Sequence, residues 1–202
     1  NVVWSEGNVT AFWLDDIEVT EASWQRCADA GICAVRLTPT NRTIEPGLPV
    51  VNVTPAQAQR YCAWQSGTLP RRDQWLLAAA SASSRRFPWG QTGLVCRRAT
   101  FGLVRGPCAE GGAFPDFSGS RPDGKSDIGF YDLVGNVAEL VSAPDGSFEV
   151  RGGSFRSTHA SELKTWSSLP YTEPRDDIGF RCAYSEEPTK RAGIVDADTQ
   201  RR

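Results

Sequence analysis

The sequence predicts one α+β domain with little regular secondary structure, and three observations carry that expectation. Helix caps and i, i+3, i+4 apolar spacing fall between residues 20 and 81. Short runs of alternating apolar and polar residues begin at Gly129. Between them, from Phe87 to Lys125, Gly, Pro, Arg and polar residues dominate and few runs could be buried strands.

The elements are justified in order. Ala11–Leu14 and Ile17–Thr20 read as extended segments on either side of an Asp15-Asp16 turn. Thr20 can cap a helix whose inner face is Trp24, Cys27 and Ala28, with Gly31 placed for a left-handed C-terminal cap. Thr38–Pro49 is a long loop rich in Pro, Asn and Thr. Thr54, Pro55 and Gln57 signal a second helix with a capping box; it carries Ala58, Tyr61 and Cys62 inward and stops near Gly67. A third helix runs from Arg71 to about Ser81 with Trp75, Ala78 and Ala79 on one face. Strands are expected at Gly129–Leu133, Phe148–Arg151 and Gly179–Tyr184. The domain is thus placed at residues 1–184, and residues 185–202, with little to bury, read as a polar tail or linker.

Composition narrows the function. At 202 residues the chain can enclose a sizeable core, and 40% hydrophobic with 23% charged residues is ordinary for a folded domain. Acidic residues number 24 and basic residues 22, so a net charge of −2 gives no overall pull toward nucleic acid or an anionic membrane. No run approaches the roughly 20 apolar residues of a membrane span. The chain lacks Met and begins at Asn1, as expected of a processed or trimmed product, and an ectodomain of a larger exported protein is one reading.

Six cysteines without a C-x-x-C pair, and one histidine, argue against a zinc site and for disulfides. Cys27 with Cys33 and Cys96 with Cys108 each bracket a short Gly-containing loop, which leaves Cys62 with Cys182. Such bridges imply an oxidising compartment, extracellular or periplasmic; the alternative is free thiols in a cytosolic protein.

Motifs in order now resemble one family: Phe12…Glu18-Val19-Thr20, Tyr61-Cys62-Ala63-Trp64, Pro88-Trp89-Gly90, Gly135-Asn136-Val137-Ala138-Glu139, Arg151-Gly152-Gly153-Ser154 and Gly179-Phe180-Arg181. From about residue 11 to 184 the chain is similar to the formylglycine-generating enzyme (sulfatase-modifying factor) superfamily. The resemblance implies an irregular C-type-lectin-like fold with bound calcium. Its members include copper oxidases that make formylglycine, domains of iron-dependent sulfoxide synthases, pyoverdine-maturation proteins and retroelement-diversified binding proteins, so the fold alone does not choose an activity.

The site positions do more. Where the oxidases carry two copper-binding cysteines, this chain has Ser157 and Glu162, and neither a hydroxyl nor a carboxylate replaces the soft thiolate pair that Cu(I) needs. The iron enzymes take their metal from histidines of another domain, and the only histidine here is His159. Neither copper nor iron is therefore expected. The resemblance supports a Cys62–Cys182 bridge and implies a structural calcium held by backbone oxygens of Val134, Gly135 and Val137 with the Glu139 carboxylate, an oxygen set suited to a hard cation. In place of the Asn before Ile-Gly-Phe-Arg stands Asp177.

His159 and Ser154 lack the partners of a catalytic triad. The segment from Phe155 to Pro174 instead mixes aromatic and Arg anchors with Ser and Thr, as binding surfaces do. The expectation is a non-catalytic domain that binds a protein or peptide through Ser154, Arg156, Ser157, His159, Trp166, Tyr171 and Arg175. The alternatives are an enzyme of the same superfamily completed by a partner chain, and a retroelement-diversified binding protein.

Overall fold

Local signals set the helices as expected. The chain, known here from a computed structural model that describes residues 2–3, 9–35, 45–102 and 114–187, forms α1 over Glu21–Asp29, α2 over Pro55–Trp64 and α3 over Arg72–Ala80. Thr20 Oγ1 accepts from Ser23 N at 3.3 Å and so starts α1. Beyond its end Gly31 takes φ +73°, and its N–H returns to the Ala28 carbonyl at 2.8 Å. In α2 the capping box closes both ways, Gln57 N donating to Thr54 Oγ1 at 3.2 Å and Thr54 N to Gln57 Oε1 at 2.8 Å.

Seven short strands, counted among the described residues, make two small sheets. β1 (Val2–Val3), β2 (Phe12–Leu14) and β7 (Ala183–Tyr184) form an antiparallel sheet in the order β1-β2-β7. The second has the order β5-β4-β3-β6, with β3 at Ala138–Ser142, β4 at Phe148–Arg151, β5 at Ser168–Pro170 and β6 at Ile178–Gly179. Antiparallel pairing joins β5, β4 and β3, and β6 lies parallel to β3.

Three strand expectations are corrected. Ile17–Thr20 makes no hairpin with β2; Val19 N reaches the Phe180 carbonyl at 2.9 Å and Val50 N the Val19 carbonyl at 2.8 Å, so the segment is threaded between two others. Gly129–Leu133 forms no strand and bends at both ends, because Gly129 at φ +101° and Asp132 at φ +54° leave the extended region. The last strand is split: Ile178–Gly179 serves one sheet and Ala183–Tyr184 the other. β3 was not foreseen, since four of its five residues are buried and no alternation marks it.

The core holds the sheets and helices together. Trp24, Tyr61 and Phe180 stack and meet edge-on, at 5.5–6.2 Å between rings, around the Cys62–Cys182 disulfide. Trp75 packs with Phe12, Leu14, Phe130 and Leu133 in a second cluster. Cys27–Cys33 is also bridged. Cys96 is disulfide-bonded as well, and Cys108 lies outside the described residues, as does the tail from residue 188.

Candidate functional site

Two glycines after β4 build the site. Gly152 and Gly153 take φ +88° and +67°, and a Cβ on Gly153 would stand 2.9 Å from the Glu162 carbonyl and from Ser157 Oγ. The close turn lets Ser154 N donate to Ser157 Oγ at 3.0 Å. The Ser154 hydroxyl donates to Asp177 Oδ2 at 2.7 Å and accepts from Arg156 N at 3.1 Å.

This turn, the end of β5 and the segment Arg175–Asp177 enclose a cavity of about 830 Å³. Ala138, Val150 and Leu169 give it apolar surface, and Ser154, Ser157, Ser161, Ser167 and Ser168 give it hydroxyls. Asn52, held at φ +57° with its N–H on the Arg175 carbonyl at 3.0 Å, closes one side. Two ion pairs line it: Arg156 with Asp176, which raises the Arg156 pKa further, and Arg175 with Asp177.

Four of the seven expected binding residues meet here: Ser154, Arg156, Ser157 and Arg175. His159, Trp166 and Tyr171 are not among the lining residues. His159 is exposed beside Glu162. Trp166 is 52% exposed with Lys164 Nζ 5.6 Å from its ring centroid. Tyr171 packs against the core cluster. Among the lining residues that sequence reasoning did not assign to binding are Asn52, Glu162, Leu169, Asp176 and Asp177. The adjacent charges Arg175-Asp176-Asp177 were the available signal, legible as a site only once the turn at Gly153 brings them opposite Ser154.

The turn expected to hold calcium has the geometry of a tight loop, with Gly135 at φ +83° and Asn136 at φ +58°. The Glu139 carboxylate has close partners of its own. Both its oxygens accept from Arg181, Nη2 to Oε1 at 2.6 Å and Nε to Oε2 at 2.8 Å, and Trp75 Nε1 donates to Oε2 at 2.8 Å. These donors hold in one orientation the carboxylate that the resemblance assigns to calcium. The charge around it does suit a cation. Glu18, Asp132 and Glu139 all interact with the Arg181 guanidinium, Glu18 Oε2 is buried without a hydrogen-bond partner, and burial followed by mutual repulsion raises the Glu18 pKa. Asp132 is pushed up to about 6, chiefly by burial.

The pattern described as the sulfatase-modifying factor enzyme 1-like domain matches residues 4–186. The chain belongs to that family. Within it, the chain is 33% identical over 152 residues to "Inactive C-alpha-formylglycine-generating enzyme 2" of Bos taurus, covering 67% of this chain and 50% of that protein. It is 30% identical over 139 residues to "Hercynine oxygenase" of Mycolicibacterium thermoresistibile, covering 62% of this chain and 29% of that one. The chain thus spans half the length or less of these relatives. Among solved structures, Treponema denticola variable protein 1 superposes with a TM-score of 0.63 at 18% identity, over 87% of this chain and 84% of that one, a likeness of fold alone. The irregular α+β architecture is that of the formylglycine-generating-enzyme-like, C-type-lectin-like fold.

Proposed function

We propose that this sulfatase-modifying factor enzyme 1-like domain is a non-catalytic binding module whose partner is a protein or peptide met at the cavity. One observation carries the reading: Ser157 and Glu162, at the positions where the resemblance places copper thiolates, line the cavity, while five of the six cysteines are engaged in disulfides. A hydroxyl and a carboxylate offer Cu(I) no soft pair, so the oxygen-activating step has no metal to run on. The relative named inactive supports the reading. The disulfides support an oxidising compartment, extracellular or periplasmic, and no helix of the described residues is long and apolar enough to cross a membrane. A structural calcium belongs to the proposal, through the carbonyl oxygens of Val134, Gly135 and Val137 with the Glu139 carboxylate.

The second reading is an enzyme completed by a partner chain, which the relation to a hercynine oxygenase favours. One assay separates the two. Purified protein supplied with copper or iron, oxygen and a cysteine-containing peptide, alone and again with an extract of its source that would carry a partner chain, should consume no oxygen beyond the same mixture without the protein and leave the peptide mass unchanged. Formylglycine or sulfoxide in the product would overturn the proposal.

A further inference from the structure

Charge pairing in the cavity leaves one side chain over. Arg156 sets Nε 3.0 Å and Nη2 2.5 Å from the two oxygens of Asp176, and Arg175 sets Nε 2.8 Å and Nη2 3.1 Å from those of Asp177. Both cations are therefore neutralised by the fork geometry that suits guanidinium to carboxylate. Glu162 has no such partner. Glu162 lines the same cavity, no Arg or Lys of the described residues pairs with it, and the contact its carboxylate makes is Oε1 at 3.3 Å from Nδ1 of His159, a side chain 74% exposed. The five charged lining residues thus sum to −1, and that charge sits on Glu162.

The rest of the lining offers two kinds of surface. The hydroxyls of Ser157 and Ser161 can accept from an N–H donor, and Val150 and Leu169 present aliphatic surface. An occupant that matches both is a positive N–H donor on an alkyl stem; an anion would meet unpaired like charge, and a neutral hydroxyl compound would leave the carboxylate without a counter-ion.

Resting on the binding reading above, we propose that the cavity takes the ammonium end of a lysine side chain of the partner, with Glu162 as the residue that selects it. The carboxylate receives the ammonium, and Val150 and Leu169 cover the methylene stem.

The test is an amide-shift titration of the isotope-labelled domain with Nα-acetyl-lysine methylamide, run beside its Nε-acetylated form, pentylamine and Nα-acetyl-glutamate methylamide. The lysine probe should shift the amides of residues 153–162 and 167–169 saturably, and both Nε-acetylation and Glu162→Gln should weaken it about tenfold, the scale of one charge-assisted contact. The Glu162→Gln variant should keep its Tm, since the side chain is part-exposed and meets only the exposed His159. Equal binding by that variant or by the Nε-acetylated probe overturns the proposal. So does pentylamine binding without lysine binding, which points to a free small amine, or binding of the glutamate probe alone. Those outcomes leave the binding reading standing, whereas copper-dependent thiol oxidation would end that reading without touching the lysine result.

Discussion

Single residues carry unusual weight where charge is buried. Arg181 is fully buried and holds Glu139 while donating to the Asp15 and Tyr131 carbonyls at 3.0 and 2.7 Å. Its replacement by Met would leave three buried carboxyls uncompensated, so a loss of about 3–5 kcal/mol is expected in denaturant unfolding; a loss under about 1 kcal/mol would show that the cluster is neutral or held by another cation. Asp15 gives a pH dependence with a definite sign. It is only half-buried as a residue, yet burial of its carboxyl outweighs the bonds from Cys182 N and Tyr184 Oη and raises its pKa to about 6. The folded state then holds the proton more tightly than the unfolded chain, so this group adds stability as pH falls from about 6 toward about 4 and gives none above. Calorimetry should find the Tm rising a few degrees across that window, with a flatter profile for Asp15→Asn. Trp166 is the opposite case. Half its surface is open, and Trp166→Ala should leave Tm unchanged; a fall of several degrees would make it a core residue and remove it from the recognition face.

At the scale of elements, the turn after β4 decides whether the site exists. Gly153→Ala puts a Cβ against the Glu162 carbonyl in a left-handed conformation, with an expected cost of about 2 kcal/mol. The same change should displace Ser154 from Asp177, so the lysine probe should lose affinity while a variant of equal instability far from the turn keeps it. The helices were legible in advance because their causes are local: Thr54, Pro55 and Gln57 act within one turn of chain. Strands were less so. β3 contains Glu139, and nothing local shows that Arg181, far along the chain, will neutralise it and let the strand be buried. The splitting of the last strand has the same origin, since Arg181 turns inward between β6 and β7 and carries the chain from one sheet to the other. The site was half legible for a related reason: Ser154, Arg156 and Ser157 follow one another on the turn, whereas Asp177 joins them only through a bond across the fold.

For the whole molecule, the seven strands of two to five residues and three α-helices of nine or ten among the described residues give short ladders and little propensity to lean on, so closure of the chain matters more than any element. The Cys62–Cys182 bridge ties α2 to the segment that enters β7 across a sequence separation of 120, while Cys27–Cys33 closes only 6. If a bridge acts mainly by restricting the unfolded chain, the loop lengths alone assign roughly 5 kcal/mol to the first and about 2 kcal/mol to the second. The long bridge also sits against Trp24, Tyr61 and Phe180, which hold β6, β7 and two helices in one packed unit, so its removal opens space in the core as well. Double alanine replacement of Cys62 and Cys182 should therefore destabilise at least twice as much as that of Cys27 and Cys33, measured by denaturant unfolding under non-reducing conditions. Equal losses would mean that local packing around α1, not closure of the long loop, holds this fold together, and the cavity between β5 and the Arg175–Asp177 segment would then survive reduction of the long bridge.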